Sequence, residues 1–241
     1  MTGAYLRGEN PPEAPLNLTQ ESLYPDLEAT YLAMAELLRR TPTRWAGWKL
    51  GGTNHASREA FGVDELYYGA LSQREIMAQP ARAPGMPLAD LRGEVELALR
   101  IGANGVSHDA WCVALEMPSS PITDMPGLGV RALVADRCAA GALLLGPEQG
   151  GPLPAACEMV LEQDGVVLDH AGLENLVAPV AEIFADFLHM GQAHGLPLAP
   201  GQWVATGGIT SCCDFAEGSR VRVLMDGAMV LEFTATRAAR S

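Results

Sequence analysis

From Trp45 onward the chain is built of short apolar runs broken by glycine and proline, and this punctuation constrains its fold more than any other feature. The runs are Trp45 to Leu50, Val95 to Ile101, Val113 to Met117, Gly141 to Leu145, Cys157 to Glu162 with Val166 to Asp169, Trp203 to Thr206, Arg220 to Met225 and Met229 to Thr234. With 26 glycines and 17 prolines in 241 residues, such a texture predicts a β-rich domain. "LEQDGVV" and "LMDGAMV" place Asp-Gly between apolar alternations, a strong signal for two hairpins.

Two helices interrupt the pattern. "NLTQESLYPDLEATYLAMAELLRRTP" carries Tyr31, Met34, Leu37 and Leu38 at helical spacing, with Arg39 and Arg40 near its end. "ENLVAPVAEIFADFLHMGQAHG" aligns Val177, Val180, Ile183, Phe184, Phe187 and Leu188, with Pro179 in the first turn and Gly195 as the stop. The expected division is residues 1–44, an arm flexible through Leu16 followed by a helix, and 45–241, a catalytic domain. The class is α+β, rich in β.

A net charge of -13 argues against nonspecific nucleic-acid binding. No run approaches the roughly 18 to 20 apolar residues of a membrane span, and no leader pattern opens the chain, so a cytoplasmic protein is expected. Five cysteines, an odd number with an adjacent pair, do not form a disulfide framework.

"RGEVELALRIG" sets two carboxylates one residue apart in an apolar run, so on a strand Glu94 and Glu96 share a face. Glu116 ends a second apolar run, before Pro118. An acid in an apolar strand is costly to bury unless paired or metal-bound. Three carboxylates suit Mg²⁺ or Mn²⁺, although Glu-x-Glu is more often a solvated face. Lys49 in "GWKLGGTN" runs into Gly51 and Gly52, where backbone can approach a ligand; it reads either as a proton-transfer or carboxylate-binding group or as a snorkelling surface lysine.

"GWKLGGTN", "FGVDELYYGAL", "RGEVELAL", "ALEMPSSP", "VADRCAAGALLLG" and "LAPGQWVATGGITS" follow the order and approximate spacing of the fumarylacetoacetate hydrolase superfamily. From about Trp45 to the C-terminus the chain resembles the 2-keto-4-pentenoate hydratase and 4-oxalocrotonate decarboxylase branch. The resemblance implies a mixed β-roll with a small helical N-terminal segment, and a divalent metal on Glu94, Glu96 and Glu116. It implies that Lys49 contacts a small 2-oxo acid substrate, that Thr206 and Gly207 hold its carboxylate, and that the chain self-associates as a homo-oligomer; Gly51, at the junction after Lys49, is a further substrate-binding candidate. The implied activity is a hydratase-like lyase working through an enolate that the metal stabilises. Decarboxylation, isomerisation and a noncatalytic partner-subunit role stand as alternatives.

The chain departs from the branch where a proton-transfer acid gives way to Tyr67 in "LYYG", where "ADRCA" replaces an Asn and a Ser, and where "MPSSP" follows Glu116. Tyr67 reads as a replacement proton donor or as a pocket wall. Arg137 reads as a clamp for a second substrate carboxylate, or as an ion-pair partner of Asp136 or Glu94.

Overall fold

A computed structural model describes residues 4–9, 14–78 and 82–238. Helix α1 (Leu27–Arg40) starts at Asp26, whose side chain accepts from the Ala29 amide at 2.7 Å, and buries Tyr31, Met34, Ala35 and Leu38. Then come β1 (Trp45–Gly51), α2 (His55–Phe61), β2 (Tyr67–Ser72), β3 (Ile76–Ala78), β4 (Arg82–Leu88), β5 (Arg92–Ile101) and β6 (His108–Met117). The turns α3 (Met125–Leu128) and α4 (Val130–Ala135) lead to β7 (Ala142–Leu145), β8 (Glu158–Gln163) and β9 (Val166–Gly172). Helix α5 (Val180–Ala193) precedes β10 (Trp203–Ala205), β11 (Cys213–Asp214), β12 (Arg220–Met225) and β13 (Ala228–Arg237).

The strands form two mixed sheets. The larger runs β2-β1-β10-β5-β6-β7-β3 with β11 added beside β5, and the smaller runs β4-β13-β12-β8-β9. Its first and last strands, β2 and β3, are joined by a three-residue turn, so the larger sheet curls until Leu71 of β2 shares an apolar cluster with Leu143 and Leu145 of β7. Small residues, Ala98, Cys112, Ala114 and Ala205, line this inner face. The outer face carries Val95, Leu97, Leu99, Val113 and Leu115 into the main core with α1 and α5. This arrangement is the mixed β-roll that the family resemblance implies.

Both Asp-Gly hairpins form. Asp164 and Gly165 join β8 to β9, Asp226 and Gly227 join β12 to β13, and all four residues have positive φ, the geometry of a type I′ turn. Strands β2, β3, β4 and β11 escaped the sequence reading. β2 is buried along its whole length and so shows no alternation, and β4 carries Pro84 and Pro87, which are tolerated because it lies at a sheet edge.

The segment expected to be a flexible arm is tied down where it is described. Tyr5 donates its hydroxyl to Asp136 Oδ1 at 2.7 Å, Arg7 pairs with Asp136 Oδ2 at 3.3 Å, and the Arg7 amide donates to the Ala135 carbonyl. Leu16 bridges to Ile122. Asp136 is fully buried, and the N-terminal segment supplies the charge and donors its carboxylate needs.

Candidate metal centre

Strands β5 and β6 pair antiparallel with Glu94 opposite Glu116 and Glu96 opposite Ala114. Opposed residues share a face of a sheet, as do residues two apart on a strand, so the three acids meet on the inner face. One carboxylate oxygen from each lies within 4.8 Å of the others. Glu96 and Glu116 have no exposed surface and Glu94 is part-buried.

Lys49 belongs to the same face. It stands opposite Ala205 on β10, which stands opposite Ala98 on β5, and both alanines are fully buried. The lysine Nζ donates to Glu116 Oε1 at 2.6 Å. The snorkelling alternative is therefore set aside: Lys49 is 7% exposed and points inward.

The electrostatics are unfavourable without further positive charge. Burial and the Glu116 charge push the Glu94 carboxyl up to about 7, against the pull of Lys49 and Arg92. Burial, Glu94 and Glu116 push Glu96 well above the usual carboxylate range. Burial raises Glu116 as well, opposed by Lys49. Burial works against the charged form of Lys49, yet the adjacent Glu116 and the nearby Glu94 outweigh it and hold the ammonium. Three carboxylates face one ammonium.

Two of their oxygens, Glu96 Oε1 and Glu116 Oε2, are buried without a hydrogen-bond partner among the described residues. Each such atom costs roughly 1 to 3 kcal/mol, more when charged. A hard divalent cation answers both the excess charge and the unpartnered oxygens, and carboxylate oxygens are the donors Mg²⁺ and Mn²⁺ prefer. The residues present fit such an ion.

The loop after β10 braces the acids. The Gly207 amide donates to Glu96 Oε2 at 2.9 Å, and Gly207 has φ 97°, a conformation that favours glycine. A Cβ on Gly208 would sit 2.5 Å from Glu94 Oε2, so only glycine lets this loop close over the acid in place. Gly208 escaped the sequence reading, although "TGGI" was the signal.

Several expected ligand contacts resolve differently. The Thr206 hydroxyl donates to the Leu97 carbonyl at 2.9 Å and is fully buried, so its one proton already serves β5. Gly51 lies under the Tyr67 ring, which a Cβ there would overlap; it is a spacer for that ring. Tyr67 is buried on the inner face opposite Gly51, and its phenol is pushed up by burial, Cys138 and Glu94, so it is a proton donor and not a base. Arg137 is not a clamp in the pocket. It is fully buried, donates through both terminal nitrogens to Glu75 at 2.8 Å and to the Ala70 carbonyl, and lies over the Trp45 ring. Its partner is Glu75, neither Asp136 nor Glu94. Both terminal nitrogens of the guanidinium are committed to Glu75 and the Ala70 carbonyl in this conformation.

A cleft of about 550 Å³ opens where β5 begins and β6 ends, lined by Arg92, Pro118, Ser119, Ser120, Phe215 and Arg237 among others. Arg92 precedes Glu94 by two residues and Pro118 follows Glu116 by two, but none of the three acids lines the cleft. All five cysteines are free, and Cys138 lies near Lys49 with its thiol pushed up by burial.

No protein-family model matches the sequence, and no curated protein does. Solved structures do match in fold. The 4-oxalocrotonate decarboxylase from Pseudomonas putida G7, complexed with magnesium and adipate, is 17% identical with a TM-score of 0.73, over 92% of this chain and 91% of that one. Fumarylpyruvate hydrolase from Pseudomonas aeruginosa, in complex with Mn²⁺ and pyruvate, is 16% identical with a TM-score of 0.58, over 79% of this chain and 88% of that one. The 5-carboxymethyl-2-hydroxymuconate delta-isomerase from Mycobacterium smegmatis is 16% identical with a TM-score of 0.54, over 82% of each chain. The chain thus carries the fold of the fumarylacetoacetate hydrolase superfamily, the family its sequence resembles.

Proposed function

We propose that this protein is a divalent-metal-dependent lyase of small 2-oxo acids, with Glu94, Glu96 and Glu116 as the metal ligands. The observation that carries the reading is the convergence of three carboxylates, two of them fully buried, with two unpartnered oxygens and only Lys49 against their combined charge among the hydrogen-bond partners described. Mg²⁺ or Mn²⁺ bound there supplies a Lewis acid for negative charge that develops on the substrate's 2-oxo oxygen. An acid centre kept intact supports catalysis over a noncatalytic subunit role, and the fold likeness to a magnesium-bound decarboxylase and a Mn²⁺-bound hydrolase agrees with the choice of ion.

The groups around the acids favour decarboxylation over the hydration that the resemblance put first. Hydration needs a base to take a proton from water. Lys49 Nζ donates to Glu116 Oε1, and burial pushes up the Tyr67 phenol and the Cys138 thiol, which keep their protons. All three donate. Loss of CO₂ from an acid conjugated with its 2-oxo group needs only an acceptor for the electron pair of the breaking C–C bond, then a proton for the carbon left behind. Lys49 is positioned to hold the developing oxyanion or to deliver that proton, and Tyr67 walls the same face. Isomerisation would use the same donors.

The test is an ultraviolet assay of a panel of 2-oxo and dienol acids with and without Mn²⁺, coupled to CO₂ detection. Mn²⁺-dependent loss of absorbance with stoichiometric CO₂ is the expected result. Absorbance loss without CO₂ favours hydration or isomerisation, and no turnover of any acid refutes the enzyme reading.

A further inference from the structure

Thr53 lies two residues after β1 and is 1% exposed, yet its Oγ1 has no hydrogen-bond partner among the described residues. It shares this condition with Glu96 Oε1 and Glu116 Oε2. A Cβ on Gly207 would overlap Thr53 Oγ1, so the hydroxyl lies against the same glycine whose amide holds Glu96.

The position of Thr53 is fixed without help from its hydroxyl. Its carbonyl accepts from the Val177 amide at 2.8 Å, and the neighbouring Asn54 side chain donates to the Gly208 carbonyl at 2.8 Å. A valine would fill the same volume without burying a hydroxyl, so packing gives no reason for the oxygen. Thr206, by contrast, has spent its proton on Leu97.

Resting on the metal-centre reading above, we infer that Thr53 Oγ1 donates a hydrogen bond to a small carboxylate ligand seated beside Glu96. Thr53 is a ligand-holding residue, in the role that the sequence assigned to Thr206. A buried hydroxyl against the glycine that holds a cation-binding acid needs an acceptor, and one that lies between it and the cation serves both. A carboxylate with a vicinal oxygen, as in a 2-oxo acid, offers one oxygen to each.

The probe is oxalate, an unreactive dianion with vicinal oxygens, titrated calorimetrically into the Mn²⁺-loaded protein after Mn²⁺ affinity is measured separately for each variant. Thr53→Val is expected to weaken oxalate binding about tenfold or more with Mn²⁺ affinity unchanged, and Thr53→Ser to stay within about threefold of the wild type. Thr53→Ala against Thr53→Ser gives the same comparison in a smaller side chain if valine impairs folding. Equal oxalate affinity in the hydroxyl-free variants, with Mn²⁺ bound, overturns this inference alone. Failure of the wild type to bind Mn²⁺ overturns the metal-centre reading, and the role of Thr53 with it.

Discussion

At the scale of the residue, Lys49 is the group whose replacement separates chemistry from metal binding. Its ammonium offsets part of the charge of Glu116 across 2.6 Å. Lys49→Met therefore leaves a more negative centre. Metal titration should show Mn²⁺ binding at least as tight as in the wild type, while turnover falls about 10²- to 10⁴-fold, the usual cost of losing a positioned proton donor. Loss of metal affinity in this variant would make Lys49 a structural brace instead. Gly208→Ala has the opposite profile. The new methyl displaces the Glu94 carboxylate, the movable end of a side chain, so Mn²⁺ affinity should fall while the melting temperature changes little.

The pairing of Glu94 with Glu96 was legible in the sequence because strand alternation is a local rule. The register that sets Glu94 opposite Glu116 was not, since it depends on the β5–β6 pairing and on an irregularity between Arg100 and Ile101. Arg137 shows the same limit. Its partner Glu75 lies 62 residues earlier in a tight turn, and the nearer acid, Asp136, is taken by Tyr5 and Arg7 from the N-terminal segment. Thr206 was placed in the right loop, but which hydroxyl faces the acids depends on whether the Leu97 carbonyl claims it.

At the scale of elements, the turn between β2 and β3 is locked to the turn after α4 by the Arg137–Glu75 pair. Removing one member of a buried pair leaves the other charge stranded, at roughly 3 to 5 kcal/mol. Glu75→Gln should accordingly lower stability by several kcal/mol in denaturant melts at pH 7. Burial alone would raise the Glu75 carboxyl, but hydrogen bonds and charge from Arg137 hold it below its ordinary value. A depressed folded value means that its stabilisation is present above the unfolded value and is lost as pH falls through the folded one. The gap between wild type and variant should thus narrow as the pH drops below about 4. A gap that is unchanged there would show that the loss comes from packing and not from the ion pair.

At the scale of the whole molecule, the acid centre makes stability depend jointly on pH and metal. Glu94 is raised to about 7 in the folded chain, against an unfolded value near 4.3. The folded state therefore binds more protons between these values, and without metal this centre loses stability as pH rises through that window. A bound cation reverses the sign by favouring the ionised acids. Chelated protein should gain little in melting temperature from Mg²⁺ at pH 5.5 and much more at pH 8, where saturation at about 100 times Kd stabilises by about 2.7 kcal/mol. An equal shift at both pH values would place the bound ion elsewhere.

The most direct measurement is a calorimetric Mn²⁺ titration of chelator-stripped wild type beside Glu96→Gln and Glu116→Gln. One site per wild-type chain and no comparable site in either variant is the expected result, with far-ultraviolet circular dichroism unchanged. Wild-type protein that binds no Mn²⁺, or variants that bind it as tightly as wild type, would contradict a metal centre built from Glu94, Glu96 and Glu116.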